Sequence, residues 1–129
     1  MSDRAPALAF RADEPALDPE IIDRLERLGA SIGEDLLGQL IVLFLADADR
    51  HLTELRHAIA VKASGGVVRS AHSLSGASAN LGAANLALLC TGLETAGELG
   101  DLATGARLLK AMEVELERVR EALVVRISM

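Results

Sequence analysis

The chain has 129 residues, half of them hydrophobic but only 2 % aromatic, with no Trp and no Tyr. That is enough for one domain, and its core has to be built from Leu, Ala, Val and Ile, which suits close-packed helices and argues against a β-sandwich. A formal net charge of −6 and the scarcity of stacking aromatics argue against a nucleic-acid binder. The single cysteine, Cys90, excludes an internal disulfide framework and fits a reducing compartment. The N-terminus has no apolar signal-peptide core, and no stretch reaches the ~18 uninterrupted apolar residues of a membrane span. These features read as a cytoplasmic protein with no membrane contact.

Residues 1–16 hold two of the three prolines among alanines and mixed charges, and read as a flexible tail ahead of a domain over 17–129. Asp18-Pro19-Glu20 then opens a first, short helix, with Asp18 as cap and Pro19 at the first helical position. Ile21, Ile22, Leu25 and Leu28 follow at helical spacing, and Gly29 is expected to end the helix. Ser31 with Glu34 three residues on forms a capping-box pattern for a second helix. That helix runs to about Lys62 and is apolar almost all round from Leu36 to Leu45, thinning to Leu52, Leu55 and Ile59. His51 and His57 on it are six apart, where a metal pair would want about four, and are read as solvated.

Ser64-Gly65-Gly66 breaks the pattern, and a third helix is expected from about Val67 to Leu81, stopped by Gly82. A fourth follows from about Ala84 to Leu99, so close that the two should be antiparallel neighbours. Cys90, among Leu86, Leu88, Leu89 and Leu93, reads as a small core residue. Gly100-Asp101 separates this helix from a fifth, about Ala103 to Val125. There Leu108, Leu109, Met112, Leu116, Val119 and Leu123 are at helical spacing, and acid–base pairs such as Glu115 with Arg118 mark a solvated face. The fold class is therefore all-α: an antiparallel up-down-up-down four-helix bundle with an additional short N-terminal helix.

The third helix carries the chemistry. At ~100° per residue, Leu74 lies ~200° from His72, with Val67, Ala71, Ser78 and Leu81 clustered around that opposite side. The imidazole therefore points outward, with Arg69 nearly one turn below it and Gly76 one turn above. A glycine inside a helix costs roughly 1 kcal/mol relative to alanine. Beside an exposed histidine it reads as clearance for an incoming partner. Neutral imidazole is a good nucleophile near physiological pH. No Gly-rich phosphate loop occurs, so nothing points to ATP binding, and no metal site is suggested.

His72, Leu74, Ser75, Gly76 and Gly82 on a helix resemble the signature of the histidine-containing phosphotransfer (HPt) domain family, H-x-L-K-G followed by small residues and a second glycine. The apolar run from Asp35 to Asp47, and Leu86-Ala-Leu-Leu-Cys90 with Leu93-Glu94, resemble the flanking helices of that family, so the likeness covers roughly Leu17 to Leu123. The resemblance implies a phosphoryl carrier rather than an enzyme. His72 would accept a phosphoryl group from a receiver-domain aspartate and pass it to another, in a two-component phosphorelay. Glu94 falls where the family places an acid or amide near the active histidine. Ser75 stands where the family usually has lysine; it carries no charge, and Arg69 is the candidate replacement cation. The partners implied are receiver domains of response regulators or hybrid histidine kinases, docking a monomer on the histidine face with Ile22, Leu25 and Leu40. The chain needs no cofactor of its own, Mg²⁺ coming with the receiver. The Ser75 departure leaves a second reading, a non-phosphorylated adaptor that binds receiver or kinase domains.

Overall fold

The computed structural model describes residues 14–128, and every regular element among them is a helix. The five are α1 (Pro19–Ile32), α2 (Leu36–Ala60), α3 (Ser64–Asn80), α4 (Ala84–Leu99) and α5 (Leu102–Ile127). α2 packs on α3, α3 on α4, α4 on α5, and α5 back on α2, which closes a four-helix ring; α1 packs on α2. The centre is aliphatic, as the composition requires. Ile41, Leu55, Val67, Leu74, Leu86, Leu93, Met112 and Leu123 are fully buried. Each such side chain removed from water contributes about 1.5–3 kcal/mol.

Helix ends depart from the sequence expectation at three places. α1 does not stop at Gly29. It continues to Ile32 and ends at Gly33, whose φ of 72° is the left-handed conformation that closes a helix without a Cβ penalty. Gly29 instead makes room for the turn into α2, since a Cβ there would lie 2.7 Å from the Glu34 carbonyl oxygen. Ser31 is consequently inside α1, donating to the Leu28 carbonyl, and the Ser31–Glu34 capping box does not form. Asp35 caps α2, accepting from the Gly38 N–H at 3.0 Å. Third, Ser64-Gly65-Gly66 is the first turn of α3 rather than a break. Helix packing overrides glycine propensity there, with Gly66 tucked against Ala58 of α2.

Residues 1–13 of the expected tail lie outside the described residues, but the segment 14–16 is anchored at two points. Ala16 is buried, and the Glu14 carbonyl accepts from Arg118 at 2.8 Å. Arg118 also donates to Glu115 at 2.7 Å. Glu115 is only 1 % exposed, so this pair fastens the segment ahead of α1 onto α5 and does not mark a solvated face. Further on, the Asp18 N–H donates to the Gly82 carbonyl at 2.8 Å. That bond joins the start of α1 to the α3–α4 turn. Gly82 has φ +82°, and a Cβ on it would come within 3.2 Å of Ile21.

Candidate functional site

α3 is amphipathic in the sense that matters here. Val67, Ala71, Leu74 and Ser78 are buried, and His72 stands on the opposite side with 75 % of its side chain exposed. Gly76, one turn on, has nothing beyond its own chain neighbours and helix backbone within 4 Å of the place where a Cβ would be. The imidazole thus projects over an open strip of helix.

Its other edge is held. His72 Nδ1 lies 3.1 Å from Glu94 Oε2 on α4, and the Glu94 side chain is 22 % exposed. A carboxylate can only accept, so Nδ1 carries the proton and donates, and the lone pair is left on Nε2, facing solvent. α3 can bring its histidine this close to α4 because small residues line the seam: Gly97 packs directly on Val67 and Val68.

One turn along, the same seam has a second rung. Ser75 Oγ is 3.1 Å from Thr91 Oγ1, and Thr91 donates to the Ala87 carbonyl at 3.0 Å. Ser75 is therefore turned toward α4 and spent on it, rather than flanking the imidazole on the exposed face. Its hydroxyl finds acceptors across the seam that a lysine ammonium, seeking water, would not occupy. Thr91 was not singled out from the sequence.

Arg69 reaches the other way. Its guanidinium lies back over the first turn of α3, where a Cβ on Gly65 would be 3.3 Å from it. It makes no ion pair with any described residue. With Ser70 and Ser73 it lines a cleft against α2 that also contains His51, Glu54 and His57. His51 is buried, 8 % exposed, and not solvated as expected; its Nδ1 meets Glu54 at 3.2 Å. The Ser70 hydroxyl donates to the same carboxylate at 3.0 Å and, with the nearby His51 and Arg50, holds Glu54 below the usual carboxylate range.

Of the residues expected to meet a partner, Ile22 is excluded. It is 1 % exposed, because the inward stripe of α1 passes through it. Leu25 and Leu40 are half-buried against the core. The apolar surface lies further along α2, at Val42 and Leu43, both about two-thirds exposed. A shallow cleft between Leu40, Leu43, Phe44 and Ala77 joins it to α3. Cys90 is in the core as expected, and burial pushes its thiol up to about 12. Among the described residues there is no cluster suited to a metal ion, and no helix is long and apolar enough to cross a membrane.

The site is thus an exposed imidazole on a helical bundle, held at one nitrogen and open at the other. The Hpt domain family model matches residues 39–122, and the chain belongs to this family. In fold it is similar to histidine-containing phosphotransfer protein B (HptB) of Pseudomonas aeruginosa PAO1. That crystal structure aligns with a TM-score of 0.80 and 27 % identity, over 88 % of this chain and 96 % of that one. No curated protein matches the chain in sequence. The function of the chain is histidine phosphotransfer in phosphorelay signalling. The family consists of phosphoryl carriers rather than kinases, and its members interact with receiver domains.

Proposed function

We propose that His72 is the phosphoryl acceptor, taking the group from the aspartyl phosphate of one receiver domain and returning it to the aspartate of another. The observation that carries this reading is the His72–Glu94 pair: an imidazole exposed at one nitrogen and held at the other. In the forward step the Nε2 lone pair attacks phosphorus, a P–N bond forms, and the P–O bond to the receiver aspartate breaks with its electrons staying on the carboxylate. The ring gains positive charge as it is phosphorylated, and the Glu94 carboxylate faces that charge at Nδ1. No proton has to leave for transfer in either direction. The task is in-line positioning of two groups, which a rigid bundle and the open strip at Gly76 serve.

The receiver brings the acidic pocket and Mg²⁺, and this chain supplies no cofactor. It acts as a monomer in the cytoplasm. The docking face combines the turn around His72 with the apolar cleft at Leu40, Leu43 and Ala77. Incubating the chain with a phosphorylated receiver and mapping the label tests the reading; label on His72 supports it and label elsewhere ends it.

A further inference from the structure

α3 and α4 carry few charges. Apart from His72 and the buried Cys90, their ionisable side chains are Arg69, Glu94 and Glu98. The Arg69 guanidinium lies back over Gly65, and Glu98, one turn beyond Glu94, is exposed. On α2, the other helix packed against α3, His51, Glu54 and His57 face the cleft with Ser70 and Ser73, and Asp47 lies in the cleft with Ala77. Among the described residues, the charged group bonded to the His72 ring is thus Glu94, at Nδ1 and 3.1 Å. Its side chain is 22 % exposed against 75 % for His72, so the carboxylate is partly withdrawn from the solvent and salt that would screen it.

Phosphorylation at Nε2 leaves a ring whose remaining proton is on Nδ1, and that proton decides what the ring can do next. With it in place, the P–Nε2 bond breaks with its electron pair going to Nε2, the P–O bond to the receiver aspartate forms, and a neutral imidazole is released. With it lost, the same cleavage expels an imidazolate, a far poorer leaving group. An imidazole ring exchanges its second proton with water in the physiological pH range, and an adjacent carboxylate favours the protonated ring.

We propose that Glu94 is the proton-retaining partner of phosphorylated His72. Its charge keeps Nδ1 protonated into mildly alkaline pH, so the phosphoryl group stays transferable across the physiological range. The phosphorylated ring is then a cation held between the phosphoryl group on Nε2 and the carboxylate on Nδ1. This rests on the reading of His72 as the acceptor, and it gives Glu94 a second task besides orienting the free ring. The two tasks separate chemically. Orientation needs an acceptor at Nδ1, which an amide oxygen also supplies, whereas proton retention needs the negative charge.

The test loads the full chain with phosphoramidate, a small-molecule phosphoryl donor, and maps the label before any receiver is added. Protonation of Nδ1 in the phosphorylated ring is then followed by NMR of the ring nitrogens as pH is raised. The parent should keep the proton to a pH about one unit higher than Glu94→Gln, the factor of about ten that one hydrogen bond to a charged group is worth. Glu98→Gln removes the same charge one turn away and should move the midpoint far less. Transfer to one receiver should mirror the titration, the ratio of parent to Glu94→Gln rates rising about tenfold from mildly acid to mildly alkaline pH. Coincident midpoints in parent and Glu94→Gln, a shift as large in Glu98→Gln, or a rate ratio flat with pH would each overturn the proposal. Label away from His72 would overturn the reading of the acceptor, and the proposal with it.

Discussion

His72 Nδ1 and Glu94 Oε2 meet at 3.1 Å across the α3–α4 seam, and this contact turns an exposed histidine into an oriented one. Without it the ring can rotate and exchange tautomers, and the nucleophilic nitrogen is aimed only part of the time. Glu94→Ala should therefore slow phosphoryl acceptance by about tenfold, in line with the worth of a hydrogen bond to a charged group. Glu94→Gln should lose less, since an amide oxygen still accepts from Nδ1. Single-turnover transfer from a phosphorylated receiver measures both.

The Ser75–Thr91 rung makes a separable prediction. Its hydroxyls bind α3 to α4 without charge. Ser75→Lys should cost about 1 kcal/mol of stability, one ordinary hydrogen bond, read from urea denaturation. The new ammonium should at the same time shift the phosphotransfer equilibrium toward this protein, because a dianionic group gains a neighbouring cation. Arg69→Ala should change that equilibrium little, since the Arg69 guanidinium lies over Gly65.

Much of this was legible in the sequence, and the parts that were not share a cause. Periodicity gave the outward face of His72, because the buried side of α3 is unambiguous. Helix spacing also gave the core positions from Leu74 to Leu123. Ile22 was misplaced because a one-dimensional stripe does not say which of its members is innermost. Gly29 and the Ser31–Glu34 pattern misled because glycine that permits close approach looks the same as glycine that ends a helix. Thr91 could have been found: two antiparallel helices that set residue 72 opposite 94 must set 75 opposite 91. The burial of His51 and the direction of Arg69 depend on how α2 lies against α3, which neither helix encodes alone.

Two glycines should respond in opposite ways. Gly97 is packed, with a Cβ position 3.0 Å from Val68 and 3.1 Å from Val67, so Gly97→Ala should destabilise by about 1–3 kcal/mol. Gly76 faces open space, so Gly76→Ala should stabilise by up to about 1 kcal/mol. Gly76→Gln should also fold, yet transfer poorly because its side chain fills the approach to His72. Thermal unfolding and transfer kinetics on the three variants separate folding from clearance.

Acid stability should depend on Ser70. Its hydroxyl, with smaller help from His51 and Arg50, holds the Glu54 carboxylate below the ordinary range. A depressed folded-state value contributes stability that is present above the unfolded value and is lost as pH falls through the folded one. Ser70→Ala should therefore lower stability at neutral pH and converge with the parent in acid, which flattens the acid limb of the stability profile. Added salt should shrink the difference, because the Glu54 side chain is 45 % exposed.

The central claim is that phosphate resides on His72, and one measurement addresses it directly. The parent and His72→Gln are incubated with the same phosphorylated receiver, and the transferred label is followed through acid and base treatment. The account predicts an acid-labile, base-stable phosphoramidate on the parent and none on His72→Gln, with the helical circular dichroism of the two unchanged. Label that persists on folded His72→Gln would contradict it.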